Sequence, residues 1–348
     1  MRLKEFKSAL ARSGISAAIL YGRDGVKEYN IEYFTDSYPL SACRLLIWAK
    51  GEDSFLVPKL ELERMRKLSR IKVKELKKDW QKGLERKTIG FNANYLSVNE
   101  LKSLKKLIPA KFVDISHELS RLREIKTKEE IARIKKACQI SDSILGKFAA
   151  NARKFKTEKK AAKFLLDKIE EIGLEPSFPP IIAAGKNAVN PHHEPSNSKL
   201  EGFCVVDFGV KYKGYCSDTT RTFYFGKISR EEKEIYNRVL NSQMVGLGFA
   251  KTGIRGKDLD YKVRNSFGNL GKYFIHSTGH SVGREIHDIG TGVHKNENRK
   301  LAKGMIVTIE PGIYVPNKFG IRIEDTVIVE EKNATPLTKF AKKLVLIE

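Results

Sequence analysis

The sequence lacks the cysteine patterns of a disulfide scaffold or a zinc ribbon. Its 348 residues include four cysteines, Cys43, Cys138, Cys204 and Cys216, which lie far apart and form no CxxC. A reduced, cytoplasmic setting is the expectation. Nor does any apolar run approach the roughly 18–20 residues of a membrane-spanning helix, so no membrane role is expected. The opening stretch intersperses charges with Leu3, Phe6, Leu10 and Ala11 at helical spacing. That describes an amphipathic surface helix, since a signal peptide needs an uninterrupted apolar segment. Internal repeats and low-complexity tracts are missing too, which argues against solenoids and flexible linkers.

Positive charge is abundant. The formal net charge is +23, of which residues 1–126 carry +11 and the remainder +12. An excess spread over both parts describes a Lys-rich solvated surface, with nucleic-acid binding at most nonspecific and salt-sensitive. A hydrophobic content of 41% and a charged content of 31% are those of a globular chain, long enough for two domains.

Residues 1–122 alternate helix-like and strand-like segments. Ala17–Tyr21, Arg44–Ala49 and Thr88–Phe91 read as strands; Leu60–Leu68 and Ser97–Leu107 read as helices. This predicts a small α/β domain, and no paired carboxylates or histidine clusters mark it as catalytic. Residues 123–348 form the second domain. Thr127 and Glu130 make a capping box ahead of a long helical pattern through Ile131, Ile134, Ala137, Ile140 and Ile144. A second helix follows and stops at Gly173. From Ser177 onward the chain is strand-rich, interrupted by helices at about Glu231–Ala250 and Gly256–Leu270. Helices segregated from hairpins predict an α+β layer structure.

Two hairpins in this domain carry buried-looking carboxylates. The run Phe203–Val210 contains Asp207, and the return Tyr215–Phe225 contains Asp218. A two-residue loop at Tyr212-Lys213 would set Asp207 directly opposite Asp218, with Cβ atoms about 5 Å apart. Like charges so placed among apolar neighbours destabilise a hairpin, and a cation between them reverses the sign. The same pattern recurs in Met305–Tyr314 and Ile321–Val329, where a loop centred on Asn317 sets Glu310 opposite Glu324. Between the hairpins lies His276-Ser277-Thr278-Gly279-His280, followed by His287. Its glycines exclude a HExxH helix. Five of the seven histidines, His192, His193, His276, His280 and His287, fall in two short segments of this domain. Four carboxylates with an imidazole form a hard, oxygen-rich set suited to paired divalent ions such as Mn, Co, Fe or Zn.

The motifs VVDFG, GYCSDTTRT, HSTGHSVGREIH, IEPGIY and GIRIEDTV resemble, in order, those of the prolidase and Xaa-Pro aminopeptidase branch of the pita-bread (M24-type) metallopeptidases. The resemblance covers roughly residues 120–348 and implies a pita-bread catalytic domain behind a creatinase/prolidase-type N-terminal domain. It implies two divalent ions per chain, with Asp207 chelating one, Asp218 and Glu324 bridging both, and His280 and Glu310 completing the other. Glu310 would move the proton of the attacking water. His287 would steady the developing oxyanion, His192 and His276 would line the substrate site, and Arg322 would support the ligands. Ser281 stands where the family usually has glycine, and Arg284 where it usually has leucine.

The implied activity is hydrolysis of the bond between an N-terminal residue and a following proline in short peptides, with a homodimer as the expected assembly. Methionine aminopeptidases share the fold, but their two glutamates are separated by a longer insertion; creatinase needs no metal. A peptidase-like binding protein using its basic surface is the alternative from another class, and such proteins typically lose ligands. For substrate length, prolidases commonly carry an arginine soon after the last histidine of the third motif. Here none follows His287 until Arg299. This favours tripeptides and longer chains, with Arg284, His294 and Lys295 as the residues able to replace that arginine.

Overall fold

The structure, a computed structural model, describes residues 2–348. These fall into two units, one ending at Arg123 and one running Glu124–Glu348.

In the first unit α1 (Arg2–Arg12) is followed by β1 (Ala17–Gly22), α2 (Tyr29–Thr35), β2 (Cys43–Trp48), β3 (Ser54–Val57), α3 (Leu62–Leu68) and β4 (Val73–Glu75). Then come β5 (Thr88–Phe91), α4 (Val98–Leu107), β6 (Lys111–Asp114) and α5 (Ser116–Glu124). The sheet runs β4-β3-β2-β1-β5-β6, with β1 antiparallel to β2 and parallel to β5. Side-chain alternation along β1 sends Ala18 and Leu20 into one core and Ala17 and Ile19 into another, so both faces of the sheet are covered. α2, β3, β4, β6 and α5 are elements that the sequence pattern did not reveal.

The second unit begins with α6 (Lys128–Asn151), whose capping box pairs Thr127 with Glu130, and α7 (Glu158–Glu170). Next are β7 (Glu175–Pro176), β8 (Ile181–Ala184), β9 (Gly202–Phe208), β10 (Val210–Tyr212), β11 (Tyr215–Cys216) and β12 (Thr219–Phe225). After α8 (Arg230–Phe249) and α9 (Gly256–Ser266) come β13 (Ile306–Ile309), β14 (Gly312–Val315), β15 (Phe319–Arg322), β16 (Asp325–Val329), β17 (Ala334–Pro336) and β18 (Val345–Ile347). α6 and α7 bury Ala137, Phe148 and Leu165 against β9 and β12, whereas α8 and α9 bury Val239 and Val263 against β13 and β16. Helices therefore pack on strands whose opposite faces point toward a shared interior. No helix among the described residues is long and apolar enough to cross a membrane.

The first carboxylate hairpin departs from expectation in its turn. Tyr212 pairs with Tyr215, so the two-residue loop is Lys213-Gly214, with φ of 47° and 78°. A tight hairpin turn of this kind needs positive φ at both positions, and glycine adopts the second at no cost. The shift sets Asp207 opposite Thr220 instead of Asp218, which becomes its diagonal neighbour on the same face. Just beyond Asp207, Gly209 is pressed against the returning strand: a Cβ there would lie 1.8 Å from the Ser217 carbonyl oxygen. The second hairpin keeps the expected register. Ile309 pairs with Asp325 and Gly312 with Arg322, which leaves Glu310 across from Glu324 in the gap between two ladders. Asn317 takes the left-handed turn position at φ 61°.

The two turn and contact glycines separate in cost. Gly214→Ala strains one backbone position and should lower stability by about 1 kcal/mol. Gly209→Ala must push two strands apart and should cost about 3 kcal/mol. Urea midpoints of the two variants against the parent check the order; equal midpoints would contradict the close approach at Gly209.

Candidate metal centre

The two hairpins are joined through a threonine stripe on β12. Thr220 Oγ1 donates to Glu324 Oε2 at 2.7 Å, and the Glu324 backbone N–H donates to the Thr220 carbonyl at 3.1 Å. Thr222 Oγ1 donates to the Arg322 carbonyl at 2.8 Å, and Thr326 Oγ1 to the Asp218 carbonyl at 2.8 Å. Behind them Arg221 donates to the Glu324 carbonyl and forms a buried pair with Asp325 at 2.8 Å. These bonds fix the separation of two strand pairs more than a hundred residues apart in sequence.

On the inner face Asp207, Asp218, Glu310 and Glu324 line one cavity of about 550 Å³, together with His192, His276, His280, His287 and Arg322. The nine residues to which the resemblance gives ligand, catalytic or substrate-lining roles thus line one cavity. Asp207, Asp218 and Glu324 are 7%, 4% and 2% exposed. Burial resists the ionisation of Asp218, Glu324 and Glu310. Burial first, then the charges of Asp207 and Glu310, push the Asp218 carboxyl well above its usual range. Burial and then Asp218, Glu310 and Asp207 do the same to Glu324, and burial raises Glu310. Two like charges 4 Å apart repel by about 4 kcal/mol at an effective dielectric of 20.

The cavity's own counter-charge is Arg322. Its Nη2 donates to Asp207 Oδ2 at 2.6 Å, Nη1 to the Tyr314 hydroxyl at 2.6 Å, and Nε to Thr220 Oγ1 at 3.2 Å. One guanidinium does not balance four carboxylates. Asp207 Oδ1 remains buried with no hydrogen-bond partner among the described residues, which is costly for a carboxylate oxygen.

His280 adds to the same imbalance. Its Nδ1 donates to the Ser281 carbonyl at 3.2 Å, so in the neutral ring Nε2 is the acceptor. That lone pair faces Asp218 Oδ2 and Glu310 Oε1, both 3.4 Å away. Acceptors facing acceptors call for a cation between them. Ligand atoms of Asp218, His280 and Glu324 all lie within 4.8 Å of one another. Thr308 Oγ1 donates to Glu310 Oε1 at 3.0 Å and accepts the His280 backbone N–H at 3.0 Å, so one hydroxyl orients two of the candidate ligands. The donor set and the orphaned oxygen fit divalent ions.

The other histidines differ in their freedom. His276 bonds through both ring nitrogens, donating from Nδ1 to the Ser277 carbonyl at 2.8 Å and accepting at Nε2 from Tyr314 Oη at 2.9 Å. Burial, then Arg322, lowers it to about 3. Its segment is held by α9, where Arg264 donates to the His276 carbonyl and Asp260 accepts from Thr278 N at 3.1 Å. His287 packs on His280 with ring centroids 4.1 Å apart; burial, then His280 and His192, lower it to about 4. His192 lines the cavity, but His193 bonds Glu158 at 2.8 Å and serves the loop. Glu158 also accepts from Ala184 N and Ser196 N, both at 2.9 Å, which fixes the turn that presents His192. Sequence reading missed Tyr314, Thr220 and Thr308. Thr308 stands two residues from Glu310 on the same strand face, a signal that was there to find; Tyr314 and Thr220 gave none.

Comparison with known proteins gives the following. Metallopeptidase family M24 matches residues 132–331, and the Creatinase/Prolidase N-terminal domain matches residues 2–125. An Xaa-Pro dipeptidase of Pyrococcus horikoshii is 34% identical over 355 residues, covering 99% of this chain and 98% of the relative. The crystal structure of the prolidase from Pyrococcus horikoshii OT3 superimposes with a TM-score of 0.90 at 33% identity, covering 99% of each chain. An X-Pro aminopeptidase from Thermotoga maritima gives a TM-score of 0.90 at 29% identity, covering 97% of this chain and 100% of the other.

A carboxyl raised in the fold stabilises it while protonated; that contribution is full below the unfolded value, about 4, and is lost as pH rises through the raised value. His276 and His287, lowered in the fold, act the opposite way but are neutral in both states above about pH 7. The melting temperature of metal-free protein should therefore fall as pH rises above about 7, and the gain on adding Mn²⁺ should grow with pH. Asp218→Asn should raise the metal-free melting temperature, flatten its pH slope and shrink the Mn²⁺ gain. A metal-free melting temperature that climbs through this window would contradict the crowded-carboxylate account.

Proposed function

The chain belongs to metallopeptidase family M24, and from that premise we propose that it releases the N-terminal residue from peptides with proline in the second position. It is a metal-dependent hydrolase with a pita-bread catalytic domain behind a creatinase-type N-terminal domain. The observation that carries the reading is the convergence of Asp207, Asp218, His280, Glu310 and Glu324 on one cavity, beside similarity to proteins named for Xaa-Pro cleavage.

In this reading the five residues hold two divalent ions. When bound, the ions offset the carboxylate charge, polarise a peptide carbonyl and acidify water. Glu310, its affinity for protons raised by burial, takes the water's proton and passes it to the leaving nitrogen. His287 is neutral at physiological pH and donates a hydrogen bond to the developing oxyanion. His276, tied to Tyr314, braces Arg322 and through it Asp207. Phe178, Ile181 and Pro191 give the cavity an apolar wall suited to a pyrrolidine ring, and His192 borders it.

Peptide length follows from what the wall lacks. No lysine lines the cavity among the described residues, and its one arginine, Arg322, already bonds Asp207, Tyr314 and Thr220. Arg284 and Lys295 are not in the wall; the Arg284 guanidinium lies over the Tyr215 ring at 4.7 Å. Only His294 of the three lines the cavity. A dipeptide's α-carboxylate meets no free guanidinium there, which favours tripeptides and longer substrates. A homodimer is the assembly we propose, with Leu40 and Leu60, 87% and 80% exposed, as apolar surface for it to cover.

Turnover of Ala-Pro-Ala should exceed that of Ala-Ala-Ala and vanish on chelation; faster cleavage of Ala-Ala-Ala would overturn the proline assignment. Extension from Ala-Pro to Ala-Pro-Ala should raise kcat/KM, whereas a preference for the dipeptide lost on amidation would reverse the length assignment alone. His287→Ala should lower kcat by about 10²–10³-fold with a smaller change in KM.

A further inference from the structure

The segment carrying His280 and His287 has no regular secondary structure, yet it must hold two imidazoles in contact. Its outgoing arm is tied into the sheet, with Val282 N–H donating to the Ile306 carbonyl at 3.1 Å and Thr308 N–H to the His280 carbonyl at 2.9 Å. The returning arm, which carries His287, is pinned to the outgoing arm by reciprocal Gly279–Val293 backbone bonds at 2.9 and 3.2 Å, and side chains add to this nearer the histidine. The ammonium of Lys126 lies between the two arms. Its Nζ is 3.4 Å from Asp288 Oδ2 and 3.4 Å from Ser281 Oγ. The Lys126 and Asp288 side chains are 1% and 2% exposed.

Asp288 follows His287 in the chain, and Ser281 follows His280, so one buried cation contacts the sequence neighbour of each imidazole. The backbone Asp288 N–H also donates to the Ser281 carbonyl at 2.8 Å. Gly283 leaves room for the carboxylate, because a Cβ there would sit 1.8 Å from Asp288 Oδ2. Lys126 is itself fixed by its backbone N–H, which donates to the Gly304 carbonyl at 2.9 Å. Two residues earlier Glu124 accepts from Thr291 N at 2.7 Å and secures the far end of the same loop.

We propose that Lys126 is a positioning residue: through Asp288 and Ser281 it sets the spacing of His287 and His280. The proposal rests on the reading of those two histidines given above. Removing one side of a buried ion pair weakens what holds the other side in place. The loop then rearranges to reach water, and both rings move with it.

The test compares Lys126→Met, Asp288→Asn and the double variant with the parent. Lys126→Met should lower kcat on Ala-Pro-Ala by about 10–100-fold with KM within about threefold. It should also weaken Mn²⁺ binding to the metal-free protein, read by calorimetry, by about tenfold. The double variant should be no worse than the poorer single one, as expected of one coupled pair. If Lys126→Met does not fold, Asp288→Asn carries the same two readouts. Variants that melt earlier yet keep kcat and Mn²⁺ affinity within about twofold of the parent would reduce the pair to a structural role and overturn the proposal. Weakened Mn²⁺ binding in a protein whose parent fails to cleave Xaa-Pro peptides would overturn the substrate assignment and leave the positioning of His280 standing.

Discussion

Four carboxylates face one another in a buried cavity with a single fixed guanidinium, and most of the second unit is arranged around that imbalance. Asp207 and Asp218 come from one hairpin, Glu310 and Glu324 from another. Repulsion among the ionised acids works to push the hairpins apart. What prevents this is the stitching from Thr220, Thr222 and Thr326 and the Arg221–Asp325 pair behind it. Neutral donors satisfy backbone groups and single carboxylate oxygens, but they do not cancel charge. The residual negative potential, focused where Asp207 Oδ1 has no hydrogen-bond partner among the described residues, suits the cavity to divalent cations.

The same geometry divides labour among the histidines. His280 presents a lone pair to the carboxylates because its other nitrogen is committed to the Ser281 carbonyl. His276 is locked into a chain of bonds through Tyr314 and Arg322 to Asp207, with both ring nitrogens engaged. His287 keeps its ring nitrogens available and stays neutral, the state in which it donates one hydrogen bond without adding charge. The irregular backbone of this segment lets each meet a different partner.

How much of this was legible in the sequence follows from the range of each signal. The Glu310–Glu324 register was readable because an odd loop centred on Asn317 left one symmetric pairing, and the left-handed Asn317 sustains it. The Asp207–Asp218 register was misread because the turn is set by the backbone preference of Gly214, which outweighs a symmetric placing at Tyr212-Lys213. The error did no harm to the site, since an offset of two residues keeps Asp218 on the same face. Thr220, Tyr314 and Lys126 escaped notice because their partners are distant in sequence: Thr220 meets Glu324, and Lys126 meets Asp288. In the first unit short strands such as β4 and β6 were missed because the sheet, rather than a strong local alternation, makes them strands.

If the four carboxylates and His280 hold a pair of ions, those ions can be counted directly. Metal-free protein equilibrated with Mn²⁺ at neutral pH, freed of excess and analysed for metal per chain, should hold two ions. Asp207→Asn, which alters a ligand proposed to serve one ion, should hold one. A parent protein that retains one ion or none would contradict the account.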